Sequence, residues 1–265
     1  MTHDPTSETT PVADPWAPGP RGVQVVILAA GLGTRLGRPL PKSQTRLRDG
    51  RTIMQQQVDN VRAVLGVDVP ITVVVGFKAM VVMEAHPDLL FAYNELFDST
   101  NTSKSLLRAL STSQPGGVLW MNGDVVFDPR VLRTVQPWLE RDETFVCVNT
   151  AAVGEEEVKY TVDAEGFVRE LSKTVTGGLG EAVGINFVSA ADKAVLVEEL
   201  RACADTDYFE RGLETAVARG VRVAPVDVSD FDVVEVDFED DLVRADSIDV
   251  DRLRLGPATT GGGTA

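Results

Sequence analysis

Residues 25–47 read VVILAAGLGTRLGRPLPKSQTRL. An apolar run ends at Ala29, Ala30 and Gly31, and a glycine-rich loop follows that carries Arg35, Arg38, Lys42 and Arg46. A continuous apolar run of this length, closed by glycine, is the pattern of a strand buried on both faces. Strands of that kind belong to mostly parallel sheets covered by helices, whose ligands sit beyond the carboxyl ends of the strands. Gly31 and Gly33 let a backbone come close to a ligand and present N–H groups to it, and Arg35 and Lys42 can neutralise an anion there.

The rest of the chain supports that fold. ITVVVG, LLFAYN, GVLWMNGD and TFVCVNT are further strand-like runs, separated by helical patterns such as TIMQQQVDNVRAVLG, TSKSLLRALSTS and DPRVLRTVQPWLE. In the first of these helices Met54, Val58, Val61 and Leu65 share one face. In the last, Asp128 is expected as N-cap, with Pro129 at the first helical position. Beyond Thr150 the style changes: VKYTVDAEGFVREL reads as a hairpin turning at residues 163–166, followed by GEAVGINFVS, helices over about 189–203 and DYFERGLETAVARG, late strands VRVAPVDV and VVEVD, and a last short helix EDDLVRADS. The expected architecture is α/β, a Rossmann-like, mostly parallel mixed sheet flanked by helices. One domain spans 23–250, with an acceptor-binding part at about 151–235 and flexible tails at 1–22 and 255–265. The loops after Ala30, Gly76, Asn94 and Asp124 are expected on one rim.

The net charge of −15 argues against nucleic acid or an anionic membrane as partner, while a local basic patch still suits a small anion. No run approaches the roughly 20 apolar residues of a membrane span, and residues 1–22 lack the basic and apolar regions of a signal peptide. A cytoplasmic protein is the expectation. Cys147 and Cys203 sit in apolar-patterned segments and are expected as buried free thiols. The loop is not the dinucleotide fingerprint, because Gly31, Gly33 and Gly37 fail its spacing, and it is not a Walker loop, because Pro41 precedes Lys42.

Asp124 ends VLWMNGD and Asp237 ends VVEVD. From the residues alone, each is either a strand-end turn residue or half of a carboxylate pair for Mg²⁺, a hard cation that takes oxygen ligands and phosphate oxygens. Glu235, two residues before Asp237, falls on the same strand face.

The loop resembles the signature of the nucleotidyltransferases that activate sugar phosphates and small phosphorylated alcohols, Leu-Ala-Ala-Gly-x-Gly-x-Arg, a spacer, then Pro-Lys. Leu28, Ala29, Ala30, Gly31, Gly33, Arg35, Pro41 and Lys42 match it, with Thr34 inside the loop. The resemblance implies that the loop wraps a nucleoside triphosphate and that Arg35 and Lys42 contact its phosphates. It also implies Asp124, in NGDVVFDP, and Asp237, in VVEVDFEDDLVRA, as ligands of a catalytic Mg²⁺. The Asn-rich turn before Ser105-Leu106-x-x-Ala109 is similar to the base-reading segment of cytidylyltransferases, which assigns Asn101 and Ser105 to cytosine and makes CTP the expected nucleotide. SKTVTGGLGEAVG resembles the family's Ser-Lys and Gly-Glu segments. It points to Lys173 at the acceptor phosphate or α-phosphate and Glu181 at the acceptor. Family members often carry Trp where this chain has Val233, a departure that disfavours choline and favours a small phosphonate or phosphate ester; Glu181 and Asp232 leave a primary amine open. The expected reaction is CMP transfer from CTP to such an acceptor. The alternatives are a sugar-1-phosphate nucleotidyltransferase using another triphosphate, or a non-catalytic nucleotide-binding protein on the same scaffold. The oligomeric state stays open, a homodimer among the options.

Overall fold

The computed structural model describes residues 22–151, 154 and 157–248. Apart from Gly22, the tails expected at 1–22 and 255–265 lie outside the described residues, as do residues 249 and 250 of the expected domain.

Seven strands form the main path of one mixed sheet. In chain order they are β1 Gln24–Ala29, β2 Ile71–Val75, β3 Leu90–Tyr93, β4 Val118–Asn122, β6 Phe145–Asn149, β9 Glu181–Val188 and β10 Ala224–Asp227. Across the sheet the order is β10-β6-β9-β4-β1-β2-β3. β1 pairs in parallel with both β2 and β4, and β2 with β3, so their carboxyl ends share one edge. β9 runs antiparallel between β4 and β6. The hairpin β7 Lys159–Val162 and β8 Val168–Ser172 attaches at the start of β9.

Alternation along each strand divides the sheet's side chains between two cores. Val25, Ile27 and Ala29 of β1 join Leu119, Met121, Phe145 and Cys147 on one face. That face is covered by α1 Ile53–Leu65 and α4 Arg130–Arg141, and Met54, Val58, Val61 and Leu65 all pack there. Val26, Leu28 and Ala30 join Val118, Trp120, Val146 and Val148 on the other. The covering helices on this side are α3 Thr102–Thr112, α5 Lys193–Ala202 and α6 Phe209–Ala218. Each fully buried aliphatic or aromatic side chain contributes about 1.5–3 kcal/mol, so the two cores carry most of the stability.

Several details differ from the sequence reading. β4 stops at Asn122, and Asp124 stands in the turn between it and a three-residue strand, β5 Val125–Phe127, too short to be read from pattern. A short helix, α2 Ala79–Ala85, was not foreseen. Pro129, not Asp128, is the N-cap of α4, although Asp128 Oδ1 still accepts from the Arg130 amide at 2.8 Å. Cys147 is buried, but Cys203 is only partly so, because it lies just past the end of α5. No helix among the described residues is long and apolar enough to cross a membrane.

Candidate functional site

The closing segment reaches the first loop through a small third core. β11 Val233–Glu235 pairs antiparallel with β5, and the Val236 amide donates to the Asp124 carbonyl at 2.9 Å. Val234, Val236 and Leu242 then pack with Leu36 and Leu47, which flank the loop's basic residues. Arg38 reinforces the join by a forked contact with Glu239, the first residue of α7 Glu239–Ala245.

Asp124 is held from below. Gln57 of α1 donates its side-chain amide to the carbonyls of Asn122 and Val125, both at 2.8 Å, while Gln56 and Asn60 bind the carbonyl of Phe127. These buried amides pair carbonyls at the end of β4 and along β5, on either side of the turn that carries Asp124. Their role was invisible in the sequence, where MQQQVDN reads only as an amphipathic helix with polar neighbours.

The result is a dense charge cluster. Lys42 Nζ donates to Asp124 Oδ2 at 3.2 Å and to Asp237 Oδ1. Arg35 donates to Asp237 Oδ2 at 2.8 Å. Asp124, Glu235 and Asp237 each place a carboxylate oxygen within 4.8 Å of the others. Gly33 adopts φ +61°, and a Cβ there would lie 2.8 Å from Lys42 Cγ, so glycine lets the lysine cross the loop to reach the carboxylates.

The electrostatics follow from the crowding. Burial raises the Asp124 carboxyl above the usual carboxylate range and outweighs the pull of Lys42. Burial also works against charge on Asp237, but Lys42 and Arg35 win and hold it low. Glu235 stays open to the cleft, yet the surrounding walls displace its water, and Asp124, Asp237 and Glu157 add repulsion, so its carboxyl is pushed up to about 8. Three hard oxygen donors in this space suit Mg²⁺ or Mn²⁺. The donor set therefore fits the divalent cation that the sequence reading expected at Asp124 and Asp237, with Glu235 beside them.

These groups stand in a cleft of about 610 Å³. Leu28, Ala29, Gly31, Gly33, Arg35, Lys42, Asp124, Lys173, Glu181, Glu235 and Asp237 all line it. Lys173 is exposed, with its ammonium 5.2 Å from the centre of the Tyr208 ring, and Glu181 Oε2 accepts from the Gly154 amide at 2.9 Å. Ala30 is buried under the loop, where its carbonyl receives the Phe77 amide, and Thr34 opens a short 3-10 turn.

Asn101 and Ser105 do not line the cleft. The Asn101 side chain caps α3 by accepting from the Thr102 amide and donates to the Thr206 carbonyl. Ser105 is buried, and its hydroxyl accepts from Asn94. Their neighbour Thr102 is the α3 residue in the cleft wall. Asp232 lies outside the cleft walls as well; of the segments expected on one rim, the loop after Ala30 and the turn through Asn122, Gly123 and Asp124 supply walls, and Thr102 follows the loop after Asn94.

The sequence reading missed Glu157, Tyr208 and Glu210, which also line the cleft. Glu210 sits in the first turn of α6, and burial pushes its carboxyl up to about 7 from the usual 4.5, with its own backbone N–H and Lys173 pulling the other way. The folded protein thus keeps a proton there between those values that the unfolded chain has released. Stability therefore falls as pH rises through that window, by about 3 kcal/mol in all. Glu210→Gln is expected to melt higher than the parent at pH 8, with the gap narrowing towards pH 5.5; thermal melts at the two pH values check it, and a less stable variant at pH 8 would sink it.

The model of the MobA-like NTP transferase domain matches residues 25–206. No curated protein matches the chain by sequence. Among solved structures, the inositol-1-phosphate CTP transferase from T. maritima superposes with a TM-score of 0.70 at 16% identity, covering 85% of this chain and 97% of that one. The CTP:phosphocholine cytidylyltransferase from Streptococcus pneumoniae gives 0.63 at 16% identity, covering 85% and 98%. At these identities the superpositions establish the fold, the mixed α/β sheet already described. The family match covers more than half of the chain, including the glycine-rich loop, α3 and the turn that carries Asp124, so the protein belongs to the MobA-like NTP transferases and is a nucleotidyltransferase.

Proposed function

We propose that this nucleotidyltransferase is a Mg²⁺-dependent cytidylyltransferase that moves CMP from CTP to a small phosphonate or phosphate monoester and releases pyrophosphate. The observation that carries this reading is the meeting of Lys42 and Arg35 with Asp124, Glu235 and Asp237 on the floor of one cleft. CTP is favoured by the resemblance of the segment around Asn101 and Ser105, and by the nucleotide named for both superposed transferases. Because those two side chains are engaged within the fold, their part would be to shape α3 and present Thr102 to the base.

In the reaction, an anionic acceptor oxygen forms a bond to the α-phosphorus of CTP while the bond to the β-phosphate oxygen breaks. Near neutral pH that oxygen is already ionised, so no general base is required. The protein's task is to bring two anions together in line and to stabilise the charge on the transferring group. The amides of Gly31 and Gly33 would receive phosphate oxygens, and Arg35 and Lys42 would balance the triphosphate and the departing pyrophosphate. Lys173 is the cation for the acceptor's phosphorus end. A divalent cation held by Asp124 and Asp237 would supply further charge neutralisation.

Pyrophosphate release, with Mg²⁺ and the four nucleoside triphosphates crossed with small phosphonates, phosphate monoesters and sugar-1-phosphates, tests the reading. Release with CTP and a small acceptor is expected. Release only with a sugar-1-phosphate would make the protein a sugar activator. Tight triphosphate binding without turnover on any acceptor would make it a binding protein on a transferase scaffold.

A further inference from the structure

The glycine-rich loop is gripped by residues that do not line the cleft. At its start the Ala30 carbonyl accepts from the Phe77 amide at 3.0 Å, and further along the Pro39 carbonyl accepts from the Lys78 ammonium at 2.6 Å. Both donors belong to the turn between β2 and α2. Arg38, next to Pro39, is held by its fork to Glu239 of α7. Lys78, Pro39, Arg38 and Glu239 are all absent from the cleft walls.

Lys78 breaks three local rules to stand there. It holds a left-handed backbone, φ 48° and ψ 41°, which among the described residues only one other non-glycine residue, Asp142, shares. That region suits glycine and asparagine, and a long L side chain is strained in it. Lys78 is also the N-cap of α2, where its side chain makes no capping hydrogen bond and its charge opposes the helix dipole. Asparagine would satisfy all three rules. A strained residue persists where its surroundings over-determine it, and such residues cluster at functional sites. What lysine adds at this exposed position is reach: its ammonium passes 5.5 Å from the centre of the Phe77 ring and ends on the loop.

Resting on the transferase reading above, we propose that Lys78, together with Arg38, is a positioning residue for triphosphate binding. The two hold residues 38 and 39, so the loop between Ala30 and Lys42 is already shaped when the nucleotide arrives. A glycine-rich segment loses much conformational freedom when it closes on phosphates. That loss lowers nucleotide affinity unless the folded protein has already fixed the loop. Arg35 and Lys42, moreover, contact Asp237 and Asp124 and must turn from them to the phosphates. Anchors outside the cleft keep the loop in place while these two cations change partners. The anchors act on the ground state and the transition state alike, so their loss raises the KM for the triphosphate and leaves kcat nearly unchanged.

The test compares the parent with Lys78→Asn, Lys78→Arg and Arg38→Gln. Thermal melts report the fold. Pyrophosphate release with the best acceptor of the panel above reports kcat and the KM for CTP. Calorimetry with Mg²⁺ reports the affinity for CTP and for inorganic tripolyphosphate. Lys78→Asn is expected to melt no lower than the parent and to keep its kcat, yet to bind both ligands about tenfold more weakly, the lower end of the range for a hydrogen bond to a charged group. Arg38→Gln weakens both ligands as well, whereas Lys78→Arg, which still carries a donor for the Pro39 carbonyl, recovers most of the affinity. Parental affinity for CTP and tripolyphosphate in Lys78→Asn overturns the anchor and leaves the transferase reading standing. A lowered kcat with an unchanged KM, or weakening confined to CTP, overturns it too. No release with any acceptor overturns the transferase reading instead, and the calorimetric comparison of parent and variants still decides the anchor.

Discussion

Replacing Lys42 with methionine is expected to lower turnover by about a hundred- to a thousandfold and, at the same time, to raise the affinity of the nucleotide-free protein for Mn²⁺. Both effects come from one geometry. The Lys42 ammonium stands between Asp124 and Asp237, in contact with both. Burial works against its charge, but the two carboxylates prevail and hold its pKa above the ordinary lysine value. In the nucleotide-free protein this ammonium already neutralises part of the carboxylate cluster, as a divalent cation would. Methionine keeps much of the side chain's volume and removes the charge, so Asp124 and Asp237 repel each other until a cation enters. On the transferase function proposed above, the same substitution removes a positive group from the triphosphate and from the charge that develops on the transferring nucleotidyl group. Steady-state pyrophosphate release and a Mn²⁺ titration monitored by electron paramagnetic resonance separate the two effects. Parental turnover in a folded variant would refute the catalytic assignment, and weaker Mn²⁺ binding would refute the competition between ammonium and metal.

The second large effect is on stability. Trp120→Ala is expected to cost about 3–5 kcal/mol. Trp120 is fully buried in the middle of β4 and meets Phe209 edge-on at 5.6 Å between ring centres, at 89°. Removing it opens a cavity between the central sheet and the first turn of α6. Trp120→Phe should be much milder, because it keeps a ring and discards an indole N–H that has no partner among the described residues. Urea unfolding of the two variants checks the order. Phe209 lies between Tyr208 and Glu210, so the alanine variant should also loosen the part of the cleft wall that those two residues form. A loss below about 1 kcal/mol would show that the site collapses without strain.

The pattern of residues was enough to read the first loop, the buried strands beside it and the helices that cover them. The continuous apolar run in VQVVILA and the spacing of Met54, Val58, Val61 and Leu65 are local properties, and both cores use them as read. Asp124 and Asp237 were legible as a candidate pair only through the resemblance of the segments that carry them, since strand-end position alone left both open as turn residues. Their meeting was not, since it depends on β5 and β11, two three-residue strands whose pairing carries no periodic signal. The antiparallel insertion of β9 was equally hidden. Its Gly184, at φ +73° in mid-strand, would press a Cβ to within 2.9 Å of the Asn122 amide, so a bulge there bends the strand against the cleft wall.

Asn101 and Ser105 illustrate the opposite limit. Their composition suits a pyrimidine edge, but the direction of a side chain is a tertiary property, and the fold turns both towards backbone and side-chain partners. Glu210 is one of 40 acidic residues, and nothing in its neighbourhood distinguishes it by sequence. Only the packing of α6 against the sheet buries it and leaves its Oε2 without a hydrogen-bond partner among the described residues. By itself, then, the sequence determined the strand-loop-helix order, the glycine-rich loop and the type of its charges, because periodicity and glycine placement act over a few residues. The tertiary structure decided which carboxylates meet and which acid of the cleft wall is buried, because burial and the convergence of charges are set by contacts between segments some two hundred residues apart, as in the pair Arg35 and Asp237, |i−j| = 202.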